Sequence, residues 1–448
     1  MDSFCLLYEK FTKIMIHNIF GWGRYPRKIH KNCYWLNSRF ETIPNTQGSF
    51  LPFGMGRSYG DSCLNGGNNL LMTRNLDRFI SFDAQTGVVC CESGVSFAEL
   101  LDFCVPRGFF PPVTPGTKFV TLGGALANDV HGKNHHCAGN FGNHVLSFEL
   151  LRSSGERIVC SPSQNSEYFF ATIGGLGLTG LVTWVEFGLI PIKSPMIDQE
   201  VIKYRGLSEF LELSKESEGK FDYTVAWIDC LASGKNLGRG HFIQGNHSQE
   251  INTKGFTKKT LSVPFELPLS AINSLSVKIF NSFYYHRQLN RLRKSSVYYN
   301  TFFYPLDFIH DWNRIYGRQG FLQYQCVVPE NESGLKTLEK ILSCTSSRGL
   351  GSFLAVIKKF GKISSGGMLS FPRPGITLAL DLGINSPQIF KVLDKFDDWV
   401  VSSGGAVYPG KDARMSRDTF RASFPNWIKF KEFIDPNFSS DFSRRVEL

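Results

Sequence analysis

The sequence predicts an α+β fold in two parts, and three observations carry that reading. Strand-like runs in the first 190 residues are joined by tight Gly-containing turns, not by the long helical crossovers of a βαβ unit. A chain of 448 residues exceeds what one hydrophobic core ordinarily organises. After Pro191 the character changes, and longer strand-like runs alternate with longer helical ones.

The elements follow in order. "FISFDAQTGVVCCE" (79–92) reads as a hairpin, with β-rich runs flanking a Gly-containing turn. In "SFAELLDFCVPRG", Ser96 and Glu99 have the spacing of a capping box, the apolar residues recur at helical period, and Gly108 can close the end. "FFPPVTPGT" is too proline-rich for regular structure. "VLSFELLRSSGERIVC" reads as a second hairpin with a Ser-Gly turn. Beyond Pro191, "FLQYQCVVP" and "ITLALDL" read as strands, and "GLKTLEKILSC" and "SPQIFKVLDKFDDWVVSSGG" as helices. The segment 250–298 reads as less regular, apolar and basic by turns. No internal repeat is visible.

Composition is that of a soluble globular protein, rich in aromatics with 40 phenylalanines. No apolar run approaches the ~18 residues of a membrane span, and the N-terminus, with Glu9, Lys10 and Lys13 among its apolar residues, lacks a secretory pattern. The expected location is cytoplasmic or peripheral to a membrane. Eleven scattered cysteines without a C-x-x-C pair argue against a disulfide framework or a zinc site, and for a reducing compartment. The net charge is +10, partly concentrated in "HRQLNRLRKSS" (286–296), which holds no acid. Such a patch suits nucleic acid, anionic lipid or a phosphorylated substrate; its bland reading is a solvated helix face.

"GGLGLTG" (174–180) contains a formal G-x-G-x-x-G, with acids about 20 residues on at Asp198 and Glu200. A dinucleotide fingerprint needs a strand before and a helix after. Here "NSEYFFATIGG" reads as a helix before and "LVTWVEFGLI" as a strand after, so a Rossmann site is not expected. "GMGRSYGD" (54–61) and "VTPGTKFVTLGGALANDVHGKNHH" (113–136) are better candidates. Such loops present consecutive backbone N–H groups to pyrophosphate, and glycine admits close approach. His131 and His135 stand at i and i+4, but Gly132 and Asn134 disfavour a helix, and only Asp129 is near as a carboxylate, so no metal site is expected. Polar residues satisfying loop backbone, or a loop lining a cofactor, are the remaining readings.

Taken together, "GMGRSYGD", "TPGT…TLGGALANDVHGKNHHCAGNFGNHV", "IGGLGLTGLV", "FLQYQCVVP", "YPGKDAR" and "DPNFSSDFSRRVEL" resemble the decaprenylphosphoryl-β-D-ribose 2′-oxidases, flavoenzymes of the vanillyl-alcohol-oxidase superfamily. The likeness runs in order from about Gly21 to the C-terminus. It implies an FAD-binding domain of the PCMH type in residues 1–191, completed by a C-terminal return over 406–448. A substrate domain over 192–405 would cap the flavin ring with a sheet. The implied reaction oxidises the 2′-hydroxyl of a polyprenyl-phosphoryl ribofuranose to a ketone, with hydride passing to flavin N5. A short-chain reductase partner would then complete epimerisation to the arabinose form. The basic, apolar segment 250–298 suits a prenyl-phosphate substrate or an anionic membrane surface, and no nucleic-acid partner is expected.

Residue by residue, the resemblance assigns Gly56, Arg57, Ser58, Tyr59, Gly60 and Asp61 to the first FAD loop. It assigns Pro115, Gly116, Thr117, Thr121, Gly123, Gly124, Asn128, Asp129, His131, Gly132, Asn134 and His135 to the second. Gly180, Val182 and Tyr408 would also touch the cofactor. Many superfamily relatives carry a histidine bonded to flavin near Tyr59; this loop has none, so FAD is expected to be non-covalent. Lys411 matches a lysine beside flavin and substrate, and Lys411, His131 and Tyr59 are the candidates for the base. Gln323 and Gln325, alternating on a strand, would face the sugar with Lys411, Trp227 and Thr377. The departures are a short Tyr34–Phe53 stretch without room for a helix, and Thr377, Ala379 and Phe303 where mycobacterial members have asparagine, cysteine and tyrosine. Two rival readings are a soluble sugar or sugar-lactone oxidase of the same superfamily and a non-catalytic, membrane-associated flavoprotein scaffold.

Overall fold

A computed structural model describes residues 19–250, 261–265, 270 and 272–448. The early hairpins form where the turn signals stand. Phe79–Phe82 pairs antiparallel with Val88–Glu92, and Val145–Leu151 with Arg157–Cys160. The strand Leu181–Gly188 lies between the two hairpins and joins them into a five-stranded antiparallel sheet. The helix Phe97–Cys104 has its capping box, with Ser96 Oγ accepting from the Glu99 amide and the Glu99 carboxylate accepting from the Ser96 amide. Gly108 ends the following turn at φ +80°, a left-handed conformation that favours glycine. The proline-rich stretch is more ordered than expected: Phe109–Phe110 pairs with Ile190–Pro191, because its two phenylalanines precede the prolines. Asn32–Trp35, Asn69–Met72 and Phe50–Phe53 form a small parallel sheet, and no helix lies between Tyr34 and Phe53.

The second half is built on one eight-stranded sheet in which every pairing is antiparallel. Its order is Leu292–Tyr298, Met196–Tyr204, Gly240–His247, Tyr223–Ile228, Val356–Phe360, Gly375–Gly383, Phe321–Val328 and Ala406–Val407. Successive side chains on a strand point to opposite faces. One set, including Ala226, Phe242, Tyr324, Cys326, Ile357, Leu378 and Leu380, packs into an apolar core. Leu207–Ser217, Glu332–Ser347 and Gln388–Ser402 are the amphipathic helices that bury Phe210, Ile341 and Phe396 in that core. The other set, including Gln323, Gln325, Thr377, Ala379, Trp227 and Lys358, lines a cavity. The sheet runs through Val407, slightly past the expected boundary at 405.

Two expectations for 250–298 are corrected. Ser274–His286 is a regular helix whose Asn273 and Ser276 form a capping box. "RLRKSS" is strand, not a solvated helix face: Leu292–Tyr298 is the edge of the large sheet. There Arg291 pairs with Glu209 at 2.6 Å and Lys294 with Glu200 at 2.6 Å, so the helix Leu207–Ser217 and the neighbouring strand supply one acid each. Residues 251–260, 266–269 and 271 lie outside the described residues. No helix among the described residues is long and apolar enough to cross a membrane. All described cysteines are free thiols.

The C-terminal segment packs back onto the beginning of the chain. Phe438 bridges to Phe50 in parallel, and the Gly66 amide donates to Asp441 at 2.7 Å. Arg445 closes the contact by gripping Asp61 with two hydrogen bonds of 2.9 and 2.7 Å and Asp412 with one of 2.8 Å. Both carboxylates are buried. Arg445→Met is therefore expected to lower stability by on the order of 3 kcal/mol, because it leaves two buried acids without their cation. Thermal unfolding of the purified protein measures this; adding Asp61→Asn to the variant should recover part of the loss, and an unchanged midpoint would refute the role.

Candidate active site

The cavity holds about 890 Å³, within the range of roughly 300–1,000 Å³ typical of cofactor and ligand sites. One wall is backbone-rich and comes from both glycine loops. Gly56, Arg57, Ser58, Tyr59, Pro115, Gly116, Thr117, Thr121, Gly123, Gly124, Asn128, His131 and Gly132 all line it, together with Gly180, Val182 and Tyr408. Gly56 adopts φ +61°. A Cβ on Gly123 would come within 2.9 Å of Ser93 Cβ, so this turn requires glycine for close packing. Thr121 caps the short helix Leu122–Ala127 by accepting from the Gly124 amide. The opposite wall is the sheet face, which presents Gln323, Gln325, Trp227 and Thr377, with Lys411 at the junction.

Five residues assigned to the cofactor loops lie behind the cavity wall instead. Gly60 is pressed against the Asp412 carbonyl, where a Cβ would sit 1.7 Å away. Asp61 is held by Arg445. Asp129 accepts from Asn140, Ser365, Ser370 and the Gly142 amide. Asn134 donates to the Pro112 carbonyl at 2.7 Å, and His135 Nδ1 accepts from the Gly361 amide at 3.1 Å. These side chains hold the loops in shape. Among the described residues no group of three or more His, Cys, Asp and Glu is placed to hold a metal ion.

His131 sits among hydrogen-bonding partners. The Lys358 ammonium donates to His131 Nδ1 at 3.0 Å, so the neutral ring carries its proton on Nε2. That Nε2 lies 3.0 Å from the Gln325 amide, which the tautomer orients with its oxygen toward the ring. Gln325 also contacts the Thr377 hydroxyl at 3.2 Å. Burial, then the nearby Lys358, holds the His131 imidazole well below its usual pKa. Both ring nitrogens are thus engaged, and the ring is neutral.

Lys411 differs. Its Nζ makes no hydrogen bond among the described residues and stands 3.8 Å from the Tyr59 ring centroid. Burial lowers its pKa, opposed by the attraction of Asp381. Burial raises Asp381, opposed by the amide of Gln323, which donates to Asp381 Oδ1, and by Lys411. Both shifts favour the neutral forms. Burial also raises the Tyr59 phenol well above its usual range. Tyr408 stacks on Phe371 at 4.5 Å and donates to the Asn128 carbonyl at 3.0 Å. Trp227 donates to the Phe353 carbonyl at 3.1 Å.

Sequence reasoning missed Lys133, Lys358 and Asp381, which all line the cavity. For Asp381 a signal existed, since it is the one charge inside the apolar strand "ITLALDLG". Ala379 lines the cavity and offers no thiol there. Cys326, beside Gln325, is buried on the opposite face with its thiol pushed up to about 12.

The residues fit FAD. Ser62 Oγ, Ser93 Oγ and Asn128 Oδ1 are buried without a protein partner, and all three residues line the glycine-rich wall. Such orphaned atoms call for a polar ligand. The comparisons agree: the family described as "FAD binding domain" matches residues 41–161, inside the first part of the chain. Decaprenylphosphoryl-beta-D-ribose oxidase of Mycolicibacterium smegmatis is 35% identical over 417 residues, covering 88% of both chains. The chain belongs to the decaprenylphosphoryl-β-D-ribose oxidase family. It is an FAD-dependent oxidoreductase of mixed α and β structure. An uncharacterized protein in the mprA 5′ region of Streptomyces coelicolor is 29% identical over 79% of this chain and all of its own length. Cytokinin dehydrogenase 8 of rice is 35% identical over only 92 residues, 20% of this chain, so it shares a fragment while the oxidase family spans both walls of the cavity.

Proposed function

We propose that the chain oxidises the 2′-hydroxyl of a polyprenyl-phosphoryl-β-D-ribofuranose to the 2′-ketone, the first half of epimerisation to the arabinose form. The observation that carries the reading is the free amine of Lys411, placed between the FAD-cradling loops and a sheet face of glutamines. Residues 1–191 and the C-terminal return would hold FAD, and residues 192–405 would hold the sugar. The cofactor-lining and sugar-facing assignments are proposals for the residues that reach the cavity. Bound FAD supplies the acceptor for the carbinol hydride. The protein supplies the rest: Gln323 and Gln325 orient the sugar, the apolar surroundings exclude water, and Lys411 Nζ takes the hydroxyl proton. His131 acts as a donor through Nε2, since its other nitrogen is occupied by Lys358. A short-chain reductase would consume the ketone.

Two tests address the chemistry. FAD is expected to be non-covalent, because residues 54–61 contain no histidine. Acid precipitation should therefore release all flavin into the supernatant, and a yellow pellet would contradict this. A positioned base contributes about 10²–10⁴ in rate, so Lys411→Ala should slow substrate reduction of the flavin by that factor while retaining FAD. Lys411→Arg keeps charge without a usable base and should not rescue it. Stopped-flow flavin reduction is the measurement; a rate within about threefold of the parent would remove Lys411 from the chemistry.

The same reading includes a membrane-surface contact. The helix Ser274–His286 places Phe280 and Tyr284 on the cavity and leaves Leu275 (68% exposed), Ile279 (62%) and Phe283 (71%) on an outer face. Lys278 and Arg293 make no ion pair among the described residues, which suits anionic lipid. Replacing Leu275, Ile279 and Phe283 by serine should weaken cosedimentation with anionic liposomes by about tenfold or more, without changing flavin content. Unchanged cosedimentation would rule this face out.

A further inference from the structure

The cavity wall contains two amines for which the described residues provide no counter-charge. Lys133 follows Gly132 in the second glycine loop, and Lys358 lies on the strand Val356–Phe360. Both line the cavity, and neither makes an ion pair among the described residues. The cavity's carboxylates are engaged elsewhere. Asp381 faces Lys411 and Gln323, Asp307 accepts the Lys118 amide, and Asp311 pairs with Arg314 at 3.2 Å.

Neither amine has used all its donors. An ammonium has three N–H groups. Lys358 spends two, on His131 Nδ1 and on the Gly132 carbonyl at 3.3 Å. Lys133 spends one, on the Phe302 carbonyl, while its Nζ lies 4.6 Å from the Phe302 ring centroid. Two partly buried, cavity-lining cations with unspent donors and no acid beside them are costly unless an anion enters.

We propose that Lys133 and Lys358 form a subsite for a phosphate-like oxyanion, distinct from the glycine loops that cradle FAD. Resting on the proposed function, its physiological occupant is the phosphoryl group of the lipid-linked sugar. The same chemistry would accept free inorganic phosphate or sulfate. Ammonium groups recognise such oxyanions through charge-assisted hydrogen bonds. The site thereby uses charge to fix the sugar's position between Gln325 and Lys411.

The subsite is pH-dependent in a definite direction. Burial lowers Lys133 to about 7, and burial together with the nearby Lys133 and Lys411 lowers Lys358 to about 7. Such amines are charged below that value and neutral above it, so oxyanion affinity falls as pH rises. His131 and His135, which also face Lys358, are held well below their usual range by burial and stay neutral through this window. Asp381, across the cavity, acts electrostatically on Lys411 and accepts from Gln323, and makes no ion pair with either of these two amines.

Sulfate is the probe, since its charge is constant between about pH 6 and 9, and the oxidised holoenzyme is the sample, so the FAD site is already filled. Calorimetric titration should give one site whose dissociation constant weakens about tenfold or more from pH 6 to 8.5, as expected for charge-assisted binding. Lys133→Gln and Lys358→Gln should each weaken it about tenfold at pH 6, with flavin content confirming the fold. Lys358→Arg should restore binding and flatten its pH dependence. No sulfate binding by the holoenzyme, or binding unchanged in both glutamine variants, overturns the subsite. Competition separates the sources. If sulfate raises the apparent KM for the lipid-linked sugar without lowering kcat, the phosphoryl group is the occupant. If lysine-dependent sulfate binding leaves that KM unchanged, the oxyanion site stands, and its assignment to the substrate phosphate is overturned.

Discussion

The arrangement depends on a single half-buried guanidinium that grips two buried carboxylates. Arg445, four residues from the C-terminus, holds Asp61 at the end of the first glycine loop and Asp412 beside Lys411. Asp61, hundreds of residues earlier in the chain, thus shares one charge cluster with Asp412 and Arg445. An isolated buried carboxylate is expensive, and two of them satisfied by one arginine cannot separate without exposing that cost. Gly60 shows how tight the contact is, since its Cα faces the Asp412 carbonyl with no room for a side chain. The Tyr59 amide donates to the Gly410 carbonyl at 3.1 Å. Lys411 is consequently fixed over the Tyr59 ring instead of being free to choose among rotamers.

The large sheet does two jobs with one periodicity. Tyr324 and Leu378 point to the helices and a dry core, while Gln325 and Thr377, one residue away on each strand, point to the cavity. The pairing of Gln325 with Ala379 and of Gln323 with Asp381 sets which polar groups meet. A slip of one residue on the strand Phe321–Val328 would turn the glutamines toward the apolar core that contains Phe396. The rigid back face therefore gives the polar front face its geometry.

Electrostatics in the cavity are governed by the scarcity of water. Burial pushes Lys411 toward its neutral form, raises Asp381, and keeps His131 uncharged. Lys358 decides which nitrogen of His131 carries the proton. The sequence fragment with four histidines thus has divided duties: His131 faces the cavity, His135 receives the Gly361 amide, and His136 and His144 contact the carbonyls of Phe221 and Ala138.

Local chemistry was legible in the sequence. The Ser96–Glu99 capping box, the two hairpins, the helix before and strand after "GGLGLTG", and the shared face of Gln323 and Gln325 all follow from interactions spanning a few residues. The glycine loops and their likeness to a flavoenzyme family were legible for the same reason, because short motifs carry their own backbone requirements. The tertiary structure alone decided which members of a motif face the ligand: Asp61, Asp129, Asn134 and His135 turned inward to brace loops, while Lys133, Lys358 and Asp381 turned toward the cavity. It also decided that "RLRKSS" is an edge strand in which Arg291 and Lys294 are paired by Glu209 and Glu200, since those acids lie some 80 or more residues away. Whether a charge is a ligand contact, a brace or a solvated surface depends on partners brought together by packing, and linear spacing does not encode them.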